Sequence, residues 1–216
     1  HVMTVWNNPQ IFITDSININ CYGTATGSIS TTTNNGLPPY NYIWSNGSST
    51  PNLNNLFAGT YIVTITDSNQ CSNTDSVTLI EPSLLEVTSN TTPTTCFQGN
   101  DGTATAIPSG GTPAYSYLWS DGQITQTAVG LSPGIYSCTI TDSLGCDTFI
   151  QINITDPPQI TDTIYESICN EDSILINGIY YNALGTYTDT LINSFGCDSI
   201  LFIDIDTFPG PISLIN

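Results

Sequence analysis

Apart from its hydroxyls and phenols, the chemistry available to this 216-residue chain is eighteen carboxylates, seven cysteines and one imidazole. Lys and Arg are absent, and the only histidine is His1. A Ser/His/Asp or Cys/His nucleophile needs an imidazole inside the fold, a Schiff base needs a lysine, and zinc sites draw on His or clustered Cys. None of these can be built here unless His1 is recruited from the terminus. Two kinds of chemistry stay open. A glycosidase would need two acids facing each other roughly 5 to 9.5 Å apart, and calcium would need converging oxygen ligands. Nothing marks a catalytic carboxylate pair. Asp67, Asp75, Asp142, Asp147, Asp198, Asp204 and Asp206 gather near expected hairpin turns but form no EF-hand or nonapeptide calcium pattern. No catalytic residue, metal ligand or cofactor is therefore assigned, with calcium held open and its ligands unknown.

The net charge of −18 has no internal counter-charge. Such a chain repels nucleic acid and anionic membrane, so neither is an expected partner. No run approaches eighteen apolar residues, which excludes direct membrane insertion by a helix. Few helix formers, many Val, Ile and Tyr, and abundant Thr, Ser, Asn and Gly describe an all-β chain with polar turns.

The elements that must position these groups are organised by a repeat. Cys21, Tyr40, Tyr42, Trp44, Gly59, Tyr61, Asp67 and Cys71 recur 75 residues on as Cys96, Tyr115, Tyr117, Trp119, Gly134, Tyr136, Asp142 and Cys146. Residues 21–82 against 96–157 give 20 identities in 62 pairs with no gap. A shortened relative follows, in which Gly185-Thr-Tyr187 precedes Cys197 as Gly59-Thr-Tyr61 precedes Cys71. About one hairpin is missing from it, together with the Tyr-x-Tyr-x-Trp strand. The expected organisation is residues 1–9 as the last strand of a preceding repeat, 10–82 and 83–157 as full repeats, 158–209 as the shortened repeat, and 210–216 as the start of a linker or further unit.

In the second repeat Thr103–Ile107, Tyr115–Trp119, Tyr136–Ile140 and Thr148–Ile154 read as strands, separated by turns rich in Gly, Pro, Ser and Asp. The alternation of Tyr115, Tyr117 and Trp119 puts three aromatics on one face, a core rather than a sugar platform. Short strands at regular spacing predict tandem antiparallel β-sandwiches of immunoglobulin type, each with one disulfide. The repeat register suggests bridges Cys21–Cys71, Cys96–Cys146 and Cys169–Cys197, the first two closing loops of roughly 50 residues worth about 4 kcal/mol each on the entropy model. Cys138 is left as a free thiol, a small buried group replacing Val63. In-phase cysteine pairs imply an oxidising, extracellular compartment.

The order Pro-x-Tyr-x-Tyr-x-Trp-Ser-x-Gly, Leu-x-x-Gly-x-Tyr, Thr-Ile-Thr-Asp-Ser and Cys resembles the SprB repeat of Bacteroidota gliding adhesins. Pro38–Gly47, Leu56–Tyr61 and Thr64–Cys71 carry it in the first repeat, and Pro113–Gly122, Leu131–Tyr136 and Thr139–Cys146 in the second. A more distant likeness is to PKD domains. The resemblance implies a large surface protein, exported by the type IX route and anchored at the outer membrane or released, some relatives being moving adhesins. It implies no catalytic residue. Exported Bacteroidota proteins are similar in a second respect, O-glycosylation at Asp-Ser/Thr before a small or aliphatic residue, which would fall on Ser16, Ser76, Ser143, Thr163, Ser173, Thr190 and Ser199; the same triplets also suit a turn entering a strand.

The expected function is a non-catalytic stalk or filament segment of a cell-surface adhesin, its partners being the neighbouring repeats of the same chain, with lateral self-association or extracellular polysaccharide also open. The alternative is a carbohydrate-binding ancillary module, which would expose Trp44 and Trp119 in one line.

Overall fold

The computed structural model describes residues 7–168, 173–192 and 196–207. Most of the segment expected to end a preceding repeat, the front cysteine Cys169 of the third repeat, and residues 210–216 lie outside the described residues. Among the described residues there are strands and turns and no helix.

The first repeat forms β1 (Gln10–Ile17), β2 (Gly27–Asn34), β3 (Asn41–Trp44), β4 (Leu53–Leu56), β5 (Gly59–Thr66) and β6 (Ser72–Leu79). These make two three-stranded sheets, β1-β2-β4 and β3-β5-β6, antiparallel throughout. One core fills the space between them: Ile11, Ile29, Leu53 and Leu56 from one sheet meet Trp44, Val63, Ile65 and Leu79 from the other. Period-2 alternation explains the selection, since in β5 Tyr61, Val63 and Ile65 point inward while Thr60 and Ile62 face out. The division into β1-β2-β4 and β3-β5-β6 is the A-B-E and C-F-G arrangement of an immunoglobulin sandwich with one strand fewer. Two further hallmarks of that architecture are present: a buried Trp on the third strand, Trp44, and a tyrosine at the start of β5 whose hydroxyl donates back along the chain, Tyr61 to the Phe57 carbonyl at 3.0 Å.

The second repeat supplies β7 (Glu86–Thr92), β8 (Gly102–Ser109), β9 (Ser116–Trp119), β10 (Thr127–Leu131), β11 (Gly134–Thr141) and β12 (Asp147–Ile154), in sheets ordered β7-β8-β10 and β9-β11-β12. Burial repeats with the sequence. Ile29, Trp44, Leu53, Leu56, Val63, Ile65 and Leu79 are matched 75 residues on by Ala104, Trp119, Ala128, Leu131, Cys138, Ile140 and Ile154, every one buried.

The third repeat has β13 (Thr161–Ile168), β14 (Ile174–Ile176), β15 (Ile179–Tyr181), β16 (Gly185–Ile192) and β17 (Asp198–Thr207). Here the antiparallel expectation needs a correction. β16 and β17 form an antiparallel hairpin, but β13 lies parallel to β17, Thr161 against Ile200 through Ile168 against Thr207. In the first repeat the opening strand pairs with its hairpin neighbour β2; in the shortened repeat the long hairpin is gone and the opening strand takes the free edge of β17. Its core replaces tryptophan with Tyr181 and Tyr187, edge to face at 4.9 Å between ring centroids.

By compactness the chain divides into two units, one holding the described residues up to Asn90 with Thr105–Gln126 and Ser137–Gln151, the other Thr91–Ala104, Thr127–Tyr136 and the described chain from Ile152 onward.

Candidate functional site: the cysteine bridges

The cysteines are joined otherwise than the repeat register suggested. Cys21 is bonded to Cys146, with Cα atoms 5.6 Å apart, and Cys96 to Cys197, 5.3 Å apart. The expected bridges Cys21–Cys71, Cys96–Cys146 and Cys169–Cys197 are thereby replaced. Cys71 is free and half-buried, and Cys138 is free and buried. A single rule covers both bonds: the front cysteine of one repeat joins the back cysteine of the next.

Each end of the bridge sits in a turn that the sequence builds twice. In the two full repeats the back cysteine follows a buried aspartate, whereas the residue four before Cys197 is Asn193. Asp67 Oδ1 accepts the amides of Asn69 and Cys71, both at 2.9 Å, and its Oδ2 accepts the amide of Leu37 at 3.0 Å. Asp142 does the same for Leu144 and Cys146 at 2.9 Å and for Thr112 at 2.8 Å. Burial acts to raise the pKa of each carboxyl, and the donated amides more than offset it, leaving both below the ordinary value of 3.8. Gly111, at φ +60°, lets the chain pass against this carboxylate; a Cβ there would stand 2.8 Å from Asp142 Oδ2.

The front cysteine lies in a loop closed by the acid that ends the repeat. Glu81 accepts the amide of Gly23 at 2.7 Å, and Asp156 accepts that of Gln98 at 3.0 Å. The residue before the cysteine is held in the same way: the amide of Asn20 donates to Thr26 Oγ1, and that of Thr95 to Asp101 Oδ1, both at 2.9 Å. The Thr95 hydroxyl also donates to Asp101, and with the Thr95 amide this lowers the pKa of that carboxyl. In both bridges the sulfur of the back cysteine rests near the carbonyl of the residue preceding the front one: Cys146 Sγ lies 3.3 Å from Asn20 O, and Cys197 Sγ 3.6 Å from Thr95 O. Glu81 and Asp156, each followed by the proline that ends its repeat, Pro82 and Pro157, thus hold the bridge loops, a role the sequence reading did not assign. Its signal was available, since acid and recipient amide are 58 residues apart in both repeats.

Cys138 faces Trp119 across the β9–β11 ladder, as Val63 faces Trp44. Burial pushes its thiol up from 9.0, against a weaker opposing influence from the Leu118 backbone. Trp44 and Trp119 are each 2% exposed, and their indole N–H groups donate to the carbonyls of Thr50 and Thr125 at 2.8 Å. They are core residues with satisfied donors, so the exposed aromatic line that a sugar-binding module would present is not formed by them.

The hydroxyl acceptors predicted for O-glycans fall mostly on strands rather than turns. Ser16, Ser76, Ser143, Thr163, Ser173 and Thr190 are exposed, and Ser199 is half-buried with its hydroxyl on the Leu191 carbonyl. Ser16 and Thr163 lie inside β1 and β13. Of the turn aspartates weighed for calcium, Asp67 and Asp142 are committed to backbone amides, and Asp75 accepts the amides of Ile13 and Ser76. Among the described residues no three His, Cys, Asp or Glu side chains gather as a metal cluster would, and no helix is long and apolar enough to cross a membrane.

No curated protein matches the chain. Among solved structures it is similar to the N-terminal eight immunoglobulin domains of Down Syndrome Cell Adhesion Molecule, at 13% identity over 94% of this chain and 37% of that one, with a TM-score of 0.48. It is also similar to a Dscam structure solved to explain isoform specificity, at 11% identity over 71% and 47% with a TM-score of 0.31. The chain spans less than half the length of either. A third similar structure is SGBP-B of the Bacteroides ovatus mixed-linkage glucan utilization locus, solved with a mixed-linkage heptasaccharide, at 14% identity over 94% and 72% with a TM-score of 0.25. The SprB repeat family matches residues 13–49 and 88–124, one segment in each full repeat and in the same 75-residue register, so the resemblance to SprB repeats is found twice in this chain.

Proposed function

We propose that this chain is a non-catalytic segment of the stalk or filament of a large exported cell-surface adhesin, in which covalent bridges carry tension from one repeat to the next. The observation that carries this reading is the pairing itself: Cys21 with Cys146 and Cys96 with Cys197 tie successive repeats together rather than closing each one. The SprB matches support an adhesin-type extracellular module. Disulfides support an oxidising, extracellular compartment, and the resemblance to SprB repeats supports export by the type IX route. The carbohydrate-binding alternative loses the platform it was built on, since Trp44 and Trp119 are buried.

Pulling the chain by its ends tests the mechanical role. The two bridges interleave, so the shortest covalent route from Cys21 to Cys197 covers roughly 50 residues; at about 3.3–3.6 Å per extended residue, reduction should add on the order of 400 Å of contour. Equal extension before and after reduction would overturn the reading. So would saturable retention on a polysaccharide column, which would favour the binding module.

A further inference from the structure

We infer that Cys71 is the receiving half of a third bridge, taken by the front cysteine of another repeat of this type standing ahead of the first. Three back cysteines occupy equivalent positions, ten residues after the Gly-x-Tyr tyrosine: Cys71, Cys146 and Cys197. Two of them are bonded, and each to the front cysteine of the repeat before its own. Cys71 alone of the three is free, and the front cysteine of its own repeat, Cys21, is already held by Cys146.

The seat around Cys71 is built as it is around the bonded Cys146. Besides the aspartate bonds, the amide of Asp67 donates to the Cys71 carbonyl at 3.0 Å as that of Asp142 does to Cys146 at 2.9 Å. The hydroxyls of Ser68 and Ser143 donate to Leu37 and Thr112 at 2.9 Å in both. Cys71 and Cys146 are half-buried alike. Cys138, the other free thiol among the described residues, has none of this: it sits mid-strand in β11, fully enclosed. The occupant is therefore a cysteine presented as Cys21 and Cys96 are, in a loop whose amide is held by a closing acid.

The step is a two-electron oxidation. The Cys71 and incoming thiols lose two protons and two electrons to form the Sγ–Sγ bond, and a disulfide oxidant such as oxidised glutathione accepts them to become two thiols.

The test extends the chain from Gln10 onward, the added copy taking the place of residues 1–9. A copy of residues 83–157 is fused directly ahead of Gln10, so that its closing proline stands where Pro9 does, with F97Y in the copy as a mass tag. Its front cysteine then precedes Cys71 by nearly the 125 residues that separate Cys21 from Cys146. After refolding in a glutathione buffer, peptic peptides are mapped without reduction, because the chain offers trypsin no site. The tagged peptide should be linked to the Cys71 peptide, while the copy's own back cysteine stays alkylatable; C71S in the extended chain should leave the tagged cysteine free. A second extension, built from residues 10–82 with Y22F and S72T in the copy so that its two cysteine peptides differ in mass from those of the parent, gives the same readout should the first fail to fold. A bridge closed within the added copy, with Cys71 still alkylatable, or a Cys71–Cys71 dimer, would overturn the inference. The inference rests on the array reading, yet the two fail separately: loss of the third bridge leaves the reduction-dependent extension of the existing chain untouched.

Discussion

Asp142 Oδ1 and the backbone amide of Cys146 are 2.9 Å apart, and that bond holds one end of the Cys21–Cys146 bridge in place from inside its own turn. The same carboxylate accepts two further amides, from Leu144 on Oδ1 and Thr112 on Oδ2. Asparagine offers only one acceptor oxygen and would turn an NH2 donor toward an amide donor, so D142N should lower the melting temperature and D67N should do the same in the first repeat. The pH dependence has a definite sign. Both carboxyls have folded pKa values below the ordinary 3.8, so their stabilisation is fully present above that value and is lost as pH falls through the depressed folded pKa. Denaturant titrations between pH 2 and 7 should show stability falling below about pH 4, with a flatter fall in D142N. An identical acid limb in the variant would refute this assignment.

Cys138 is a packing group. Its place opposite Trp119 is that of Val63 opposite Trp44, and both are wholly buried. C138V restores the first repeat's own solution and should change stability by under about 1.5 kcal/mol, whereas C138A removes the sulfur from a closed core and should cost on the order of 1–2 kcal/mol. Native-state alkylation gives a second readout: Cys71, half-buried, should react readily, and Cys138 only as fast as the protein opens. Comparable labelling of the two would contradict the burial.

The repeat length, the strands that carry Tyr115–Trp119 and Tyr136–Ile140, the buried aromatics and the free Cys138 could all be read from the chain, because period-2 alternation and a 75-residue register are local or translational signals. The bridges could not. A translational repeat fits equally well a cysteine bonded within its unit and one bonded a unit further on, since both give pairs in phase; only the fold shows that Cys21 meets Cys146 rather than Cys71. The parallel β13–β17 pair escaped for a related reason. Its cause is the missing hairpin, and a deletion does not announce which edge the orphaned strand will take. Glu81 and Asp156 each hold an amide 58 residues away, a contact that leaves no local pattern and that only its recurrence in both repeats could signal.

Tyr61, Tyr136 and Tyr187 donate to the carbonyls four residues back, of Phe57, Ser132 and Ala183, at 3.0, 3.1 and 2.8 Å. Each hydroxyl pins the turn before its strand to the strand's first residues. Tyr→Phe at any of them keeps the ring and removes the bond, and should cost about 0.5–1.5 kcal/mol by thermal or denaturant unfolding. The ring and the hydroxyl are separable, so Y61F should be much milder than Y61A. Equal losses for Phe and Ala would show the hydroxyl bond to be the whole contribution of the side chain.

The last prediction concerns what the bridges contribute to folding. Cys21 and Cys146 are 125 residues apart in sequence, and Cys96 and Cys197 are 101 apart. Loops of this length restrict the unfolded chain by about 4.7 kcal/mol each on the entropy model, with measured losses for native bridges nearer 2–5 kcal/mol. Removing one bridge should therefore lower stability, and removing both should cost more than the sum of the two single losses, because the loops overlap between residues 96 and 146 and each bridge, while it stands, already restricts part of the chain the other closes. C21S/C146S and C96S/C197S are the double variants to compare, each removing both sulfurs so that no new thiol can exchange. The cores should survive, since Trp44 and Trp119 pack within sheets the bridges do not form, and near-ultraviolet circular dichroism of the tryptophans should be retained below the new melting point. If both double variants melt like the parent protein, the bridges do not constrain its unfolded state, and the tension-bearing role proposed for them fails as well.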